Sequence, residues 1–547
     1  MASVESLENN GRQRLTRDLQ HANVTATTLQ KEYPHGFRLF VIVAALFVSM
    51  FLLALDLTIL ATAIPKITDE FHRLDHISWY GSAFFLTLGG FQSAWGRLYK
   101  YFPLKTSFIC AILVFELGSL ISGVAPNSTA LIIGRAISGV GAAGQSSGSY
   151  YIMSLGVEPA RRPVFTSVIG AAYGIACVLG PIVGGALASR VTWRWCFYIN
   201  LPIGGAAAIV IFLFFQPRTS SRKQRRKITL AQKLLKLDPI GALLVMALVV
   251  CYILALQYGG LARPWNDSVV IGLLVGFGLI SIVFGAWEVF LGDNAMVPLR
   301  LLKQRVYLVS CIYWFLFGGG WYIILYYLPI YFQSIDGVSA IGSGIRNLPV
   351  IIAVIFSTIF SGSFVTKTGW AQPVMVVGSA IAVLGSCLIY LLDLDTKTGQ
   401  WIGYQIAAGI GYGSAFQMPM VIAQAVAPVR DLPQVTAIVL SFETVGVSLL
   451  LSAAQSAFLN VLVKVLPSTA PSVDPKDVIY TGAGEIRSAF PADQVPGILE
   501  AYMKGLKITF AMAIALSGLA LLVSVFGIWK KIPTGPPQEE DSDEDDD

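Results

Sequence analysis

The chain has 547 residues, 55% of them hydrophobic and only 13% charged, with a mean hydropathy of +0.67. Soluble globular proteins carry about twice that charged share, and one core cannot absorb so much apolar surface at this length. This excludes a soluble enzyme, a disordered regulator and a fibrous protein, and makes lipid the remaining solvent. The formal net charge is +6, but residues 539–547 hold eight acids, so the rest of the chain stands at +14. That excess sits in short loops between apolar runs and is no nucleic-acid footprint. The six cysteines are scattered through or beside apolar segments without a CxxC pair, so neither a disulfide framework nor a metal site is expected.

Residues 1–37 form a polar tail with no cleavable signal peptide, so the first apolar run is itself the targeting signal. A helix crosses hydrocarbon with roughly 20 apolar residues, and fourteen such runs follow. They cover 39–64, 78–96, 106–124, 129–153, 164–188, 196–216, 239–258 and 268–290. The rest are 307–332, 341–363, 373–392, 401–424, 435–462 and 505–529. The pattern predicts an all-α integral membrane protein. A basic loop, 217–238, contains Arg218, Arg222, Lys223, Arg225, Arg226 and Lys227 and reads as a topology determinant beside anionic lipid. The one long loop on the opposite side is 463–504, and 531–547 is an acidic tail, either simply solvated or regulated at Ser542. With the N-terminus inside, 25 Lys and Arg fall on the cytoplasmic side and 10 outside, so both termini are expected in the cytoplasm.

The 52 glycines cluster inside spans, often four apart, as in Gly144/Gly148, Gly170/Gly174 and Gly180/Gly184. Such faces let helices approach closely, and prolines such as Pro181, Pro329 and Pro419 interrupt them. This combination predicts helices that slide or rock. The dipeptide Gly-Lys is absent, which removes a phosphate-binding GxxxxGK[ST] loop and with it ATP as the energy source. No span has the spaced cations of a voltage sensor.

Charges inside the spans are costly and therefore informative. Asp56 on the first span and Arg135 on the fourth lie at matching depth, each roughly 7–8 Å outside the midplane at 1.5 Å per residue. They can form a static ion pair, or Arg135 can compete with a proton for Asp56. Glu116 on the third span and Glu443 on the thirteenth are further proton sites or, equally, hydrogen-bonded core acids.

Several motifs bear a family resemblance. Ala54-Leu55-Asp56-Leu57-Thr58-Ile59 through Pro65 resembles the first-helix motif of drug:proton antiporters of the major facilitator superfamily. Residues 131–144 (LIIGRAISGVGAAG) resemble their fourth-helix arginine motif, and Gly180-Pro181-Ile182-Val183-Gly184-Gly185 their fifth-helix antiporter motif. Residues 192–204 (TWRWCFYINLPIG) and 326–349 resemble the fourteen-span branch, especially fungal toxin and multidrug efflux members. The loop Gly96-Arg97-Leu98-Tyr99-Lys100 departs from the pattern, which has an acid at Lys100 and a glycine at Pro103, and this puts the usual acid–arginine latch in doubt. A faint copy of the loop recurs at Gly362 and Gly369.

The resemblance implies the major-facilitator fold: six-helix bundles at 38–216 and 291–530, with two extra helices at 239–290 between them. It implies a proton-coupled efflux transporter of amphipathic small molecules such as drugs, toxins or secondary metabolites. Asp56 and Arg135 would be central to coupling, and Gly96, Lys100, Gly180, Pro181, Gly184 and Gly185 would act in the conformational change. Helices 1, 4, 9 and 12 would line the path, with Gln145, Trp314, Trp321 and Gln417 as cavity residues; each aromatic also fits plain core packing or a membrane-interface belt. No cofactor is expected, the proton gradient being the energy source, and no catalytic residue. The expected partners are substrate, protons and the bilayer, without nucleic acid or an obligate protein. The plasma membrane is the expected location, with the vacuole as alternative. A siderophore carrier or a vacuolar exporter of basic amino acids would use the same scaffold, and a non-transporting sensor is a rival of another class.

Overall fold

A computed structural model describes residues 33–72, 76–216 and 236–532. Most of the basic loop, including Arg218 to Lys227, and the acidic tail with Ser542 lie outside the described residues. The described chain is helical throughout, apart from one isolated bridge between Gly259 and Arg263. The long helices, in chain order, are α1 (Gly36–Phe71), α2 (Ile77–Tyr101), α3 (Leu104–Gly123), α4 (Ser128–Gly156) and α5 (Arg162–Arg190). After the short turn Trp195–Tyr198 come α6 (Asn200–Phe214), α7 (Pro239–Tyr258), α8 (Ser268–Leu291) and α9 (Arg305–Ser334). Then follow α10 (Leu348–Thr368), α11 (Ala371–Tyr390), α12 (Thr398–Phe416, continued by Met418–Val426), α13 (Leu432–Thr469) and α14 (Val495–Val525).

Among the described residues, twelve helical stretches are long and apolar enough to cross a membrane. Helices α2 and α4 have the length but not the apolarity. Arg97, Lys100 and Gln92 dilute α2; Arg135, Gln145 and a run of serines and glycines dilute α4. Both are shielded by protein: α4 packs against α1, α2 and α3, and α2 against α4, α7 and α13. The expected loop 463–504 is partly helical. Helix α13 runs on to Thr469, and α14 begins at Val495, where Pro496 suits the first turn of a helix because its missing N–H costs no bond there.

Helix α1 packs on α4, α5 and α6, while α9 packs on α13 and α14. Two seams, α2 with α13 and α5 with α10, join these sets. Helix α7 lies against both α2 and α13, and α8 rests on α7 with only Val270 and Glu288 buried. The α7–α8 hairpin is fixed at one end by buried acids. Asp238 caps α7 and accepts bonds from the Met296 N–H (2.9 Å) and Trp287 Nε1 (2.8 Å); Glu288 accepts from the Val297 N–H (2.7 Å). Arg97 of α2 donates to the Ala295 carbonyl, so the hairpin is tied to α2.

Candidate functional site

Between the two sets of helices lies a cavity lined from both sides. Helices α1, α2, α4 and α5 contribute Leu53, Phe85, Gln92, Tyr150 and Tyr173; α9, α10, α12 and α13 contribute Trp321, Tyr322, Thr358, Gln417, Glu443 and Thr444. The wall is aromatic with a few polar handles, and Glu443 is the one carboxylate among the residues lining it. Its stem packs beside Gly318 of α9, where an added Cβ would stand 3.3 Å away.

Hydrogen bonds between lining residues join one set of helices to the other. Thr444 Oγ1 donates to Gln92 Oε1 (2.9 Å), and Gln92 Nε2 donates to Ser146 Oγ (2.8 Å). The Tyr150 hydroxyl donates to Gln417 Oε1 (3.3 Å). Of the four residues expected in the path, Trp321 and Gln417 line the cavity. Gln145 is buried in α4 away from the wall, and Trp314 packs edge-on against Phe416 at 5.7 Å.

Asp56 and Arg135 do form a direct ion pair, with no accessible surface on either side chain, and neither lines the cavity. Arg135 Nε donates to the Tyr80 carbonyl (2.9 Å), and its guanidinium lies 4.6 Å from the Phe84 ring centre, a cation–π contact. Asn200 at the start of α6 donates to Asp56 Oδ1 (3.1 Å) and to Ser119 Oγ (3.2 Å). Glu116 lies one turn from Ser119 on α3, facing Gly204 of α6, with Oε1 buried and unpartnered.

The glycine motifs lie where helices nearly touch. A Cβ on Gly180 of α5 would stand 2.1 Å from Thr58 Oγ1, and that hydroxyl bonds both the Ala54 (3.0 Å) and Ala176 (3.1 Å) carbonyls. Pro181 follows within α5, while Gly185 has open space beside it. The TWRW run forms a clamp: Arg194 grips Glu70 with two bonds (3.0 and 2.8 Å) and Trp193 Nε1 adds a third (2.7 Å). These donors, Arg194 first, hold the Glu70 carboxyl below its ordinary pKa against the effect of burial.

At the end where the N-terminus enters, the two sets meet through Lys100. Its Nζ donates to Gln434 Oε1 (2.7 Å) and Asp431 Oδ1 (3.3 Å), and Arg300 holds Asp431 Oδ2 (2.9 Å). A basic residue thus stands in the last turn of α2 and its acid at the N-cap of α13, the reverse of the polarity the resemblance implied. Burial works to raise the Asp431 pKa, but Arg300 and Lys100 together hold it below the ordinary carboxylate value.

A helical scaffold split by a central cavity, with an arginine–aspartate pair beside it, directs attention to transporters. The family model of the Major Facilitator Superfamily matches residues 46–450. The chain belongs to the major facilitator superfamily. Among curated superfamily members it is 49% identical to the MFS-type transporter grgE of a Penicillium species, covering 97% of this chain and 93% of that one. It is 50% identical to the probable efflux pump gsfJ of Penicillium aethiopicum (92% and 89% covered) and 42% identical to the MFS-type efflux pump MFS1 of Trichophyton rubrum (91% and 92%). A solved structure, the human organic anion transporter MFSD10, shares the fold at a TM-score of 0.57 and 13% identity, covering 90% of this chain and all of that one.

As a superfamily member the chain is a transporter and not an enzyme. Sequence reasoning missed Gln92, Tyr150, Asn200, Thr444 and Asp431. Asn200 lay inside a quoted motif; the others are single polar residues in or beside apolar helices, with no spacing to mark them.

Proposed function

We propose that this transporter is a proton-driven exporter of amphipathic small molecules, working by alternating access. All fourteen long helices would cross the bilayer: α1–α6 as one bundle, α9–α14 as the other, α7 and α8 as the extra pair, with both termini cytoplasmic. The observation that carries the reading is the cavity lined from both bundles, aromatic with sparse polar handles, a surface suited to apolar molecules with one or two polar groups. The efflux names of close relatives support the outward direction, and a gradient of protons, with no cofactor, supplies the energy.

In this reading Asp56 is the coupling acid. Ionised, it is held by Arg135; protonated, it releases Arg135, and the α1–α4 contact is free to change. Glu443 is the acid on the substrate wall, and Glu116 is an interior acid of the first bundle. Purified protein in liposomes with an imposed pH gradient, offered a panel of drug-like probes, tests the proposal. Uphill movement of any probe that collapses with the gradient is the expected result; binding without gradient-driven flux would sink it.

A further inference from the structure

The polar groups around Asp56 are unequally matched. Asn200 is fully buried and gives both N–H groups away, to Asp56 Oδ1 and to Ser119 Oγ, while its own Oδ1 has no partner. Arg135 likewise keeps Nη2 buried and unpartnered. An orphaned buried acceptor costs free energy. The arrangement is tolerable because a bond donated to an ionised carboxylate is about twice as strong as a neutral one. Donors surround this carboxylate, and the amide turns its N–H groups to it instead of an oxygen that could receive an acidic proton. The pocket presents donors, not acceptors, to the Asp56 carboxyl.

We propose that Asn200 is a positioning residue that sets the proton affinity of Asp56, a role that rests on reading Asp56 as the coupling acid. The other groups facing Asp56 are few among the described residues. Helix α4 brings Arg135, and α2 brings the Tyr80 carbonyl that anchors Arg135. The turn before α6 brings Cys196, within electrostatic range, and α3 brings Ser119 with Glu116 one turn away. Helix α5, along the other side of α1, brings Ala176 and Gly180 against Thr58 and no charge. Arg135 and Asn200 are therefore the two groups that donate directly to the carboxylate. Without the amide the ionised form loses a donor and the neutral form loses nothing it was using, so the proton binds more tightly.

The experiment is an infrared pH titration of purified protein in lipid, over about pH 4 to about pH 10, which brackets ordinary carboxylates and shifts of several units. The Asp56 signal is the part of the protonated-carboxyl band that is lost in Asp56→Asn. In Asn200→Leu its midpoint should move to higher pH by about one unit, a tenfold gain in proton affinity. Asn200→Ser, which keeps a hydroxyl donor, should fall between. A purely structural Asn200 would lower thermal stability and leave the midpoint in place; that result, or an acid shift, overturns the proposal, as does failure of any Asp56 signal to appear in both wild type and Asn200→Leu. Should Asn200→Leu not fold, Asn200→Ala carries the test: it too removes the amide donor and should give an alkaline shift, and no shift overturns the proposal. Gradient-driven efflux of ethidium by wild type and Asp56→Asn separates the two ideas. Retained uphill efflux in Asp56→Asn removes the coupling reading even if the Asn200 shift is present.

Discussion

Removing either charge of the Asp56–Arg135 pair strands the other where no solvent reaches it. Breaking a buried pair from one side costs about 3–5 kcal/mol, so Arg135→Ala should melt well below wild type. Asp56→Asn keeps the size of the side chain and most hydrogen bonds, and adding Arg135→Gln to it should recover part of any lost stability, as thermal unfolding in detergent will show. In the folded fraction, Asp56→Asn should bind substrate normally and lose uphill efflux. Glu443→Gln should do the reverse. It sits on the cavity wall, so it should weaken binding of a cationic probe such as ethidium by roughly tenfold, about 1.4 kcal/mol, and leave an uncharged probe such as Nile red unaffected. Ethidium binding by Glu443→Gln unchanged from wild type would count against a role at the wall. The Asp56–Arg135 contact was legible in the sequence because charge inside an apolar span is rare and helix rise fixes depth. Asn200 was not, because an amide in a span raises no alarm until its partner is known.

Some of the glycines sit where helices from the two sets nearly touch. A Cβ on Gly96 of α2 would stand 2.4 Å from Ala437 Cβ and 2.9 Å from the Pro433 carbonyl of α13. A Cβ on Gly362 of α10 would stand 2.2 Å from Ser167 Oγ and 2.9 Å from the Pro163 carbonyl of α5. The two positions that the sequence marked as a faint repeat thus both lie where the two sets of helices touch on the N-terminal side. Neighbouring Val164 N–H donates to Thr366 Oγ1 (3.2 Å) across the second seam. Gly96→Val or Gly362→Val should disfavour this closed arrangement by about 1–3 kcal/mol, the usual cost of overpacking. Cysteine pairs across either seam should then cross-link more slowly than in wild type, while thermal stability changes less. Unchanged cross-linking would show that these seams do not open. Helical type was legible from apolar runs alone; of the fourteen expected spans, twelve stretches are long and apolar enough to cross a membrane among the described residues. Bounds were not where a helix runs beyond its apolar stretch, as at the ends of α1 and α13 and the start of α14.

At the scale of the molecule, the two bundles are also tied by charge, and here the sequence pointed to a loss that the structure replaces with an inversion. Lys100 stood where an acid was expected, and the acid is found across the interface at Asp431, with Arg300 on its other oxygen. Because Asp431 is held below its ordinary pKa, the contribution of these ion pairs is fully present above the unfolded carboxylate value and is lost only as pH falls through the lowered one. Around neutral pH these ion pairs should therefore be constant. Their sign can be tested by exchange. Lys100→Asp alone sets an acid against Asp431, and Asp431→Lys alone sets Lys100 and Arg300 around a third cation; each should favour the state open on this side. The double exchange restores one pair but leaves Arg300 facing a lysine, so recovery should be partial, and adding Arg300→Glu should improve it. Accessibility of a cysteine at Ser167 to a membrane-impermeant thiol reagent, added from the side of the N-terminus in right-side-in vesicles, reads the opening. The single variants should label several-fold faster than Ser167→Cys alone, and the triple should return toward it. Equal labelling in all of them would mean that the glycine seams hold the bundles together without help from charge.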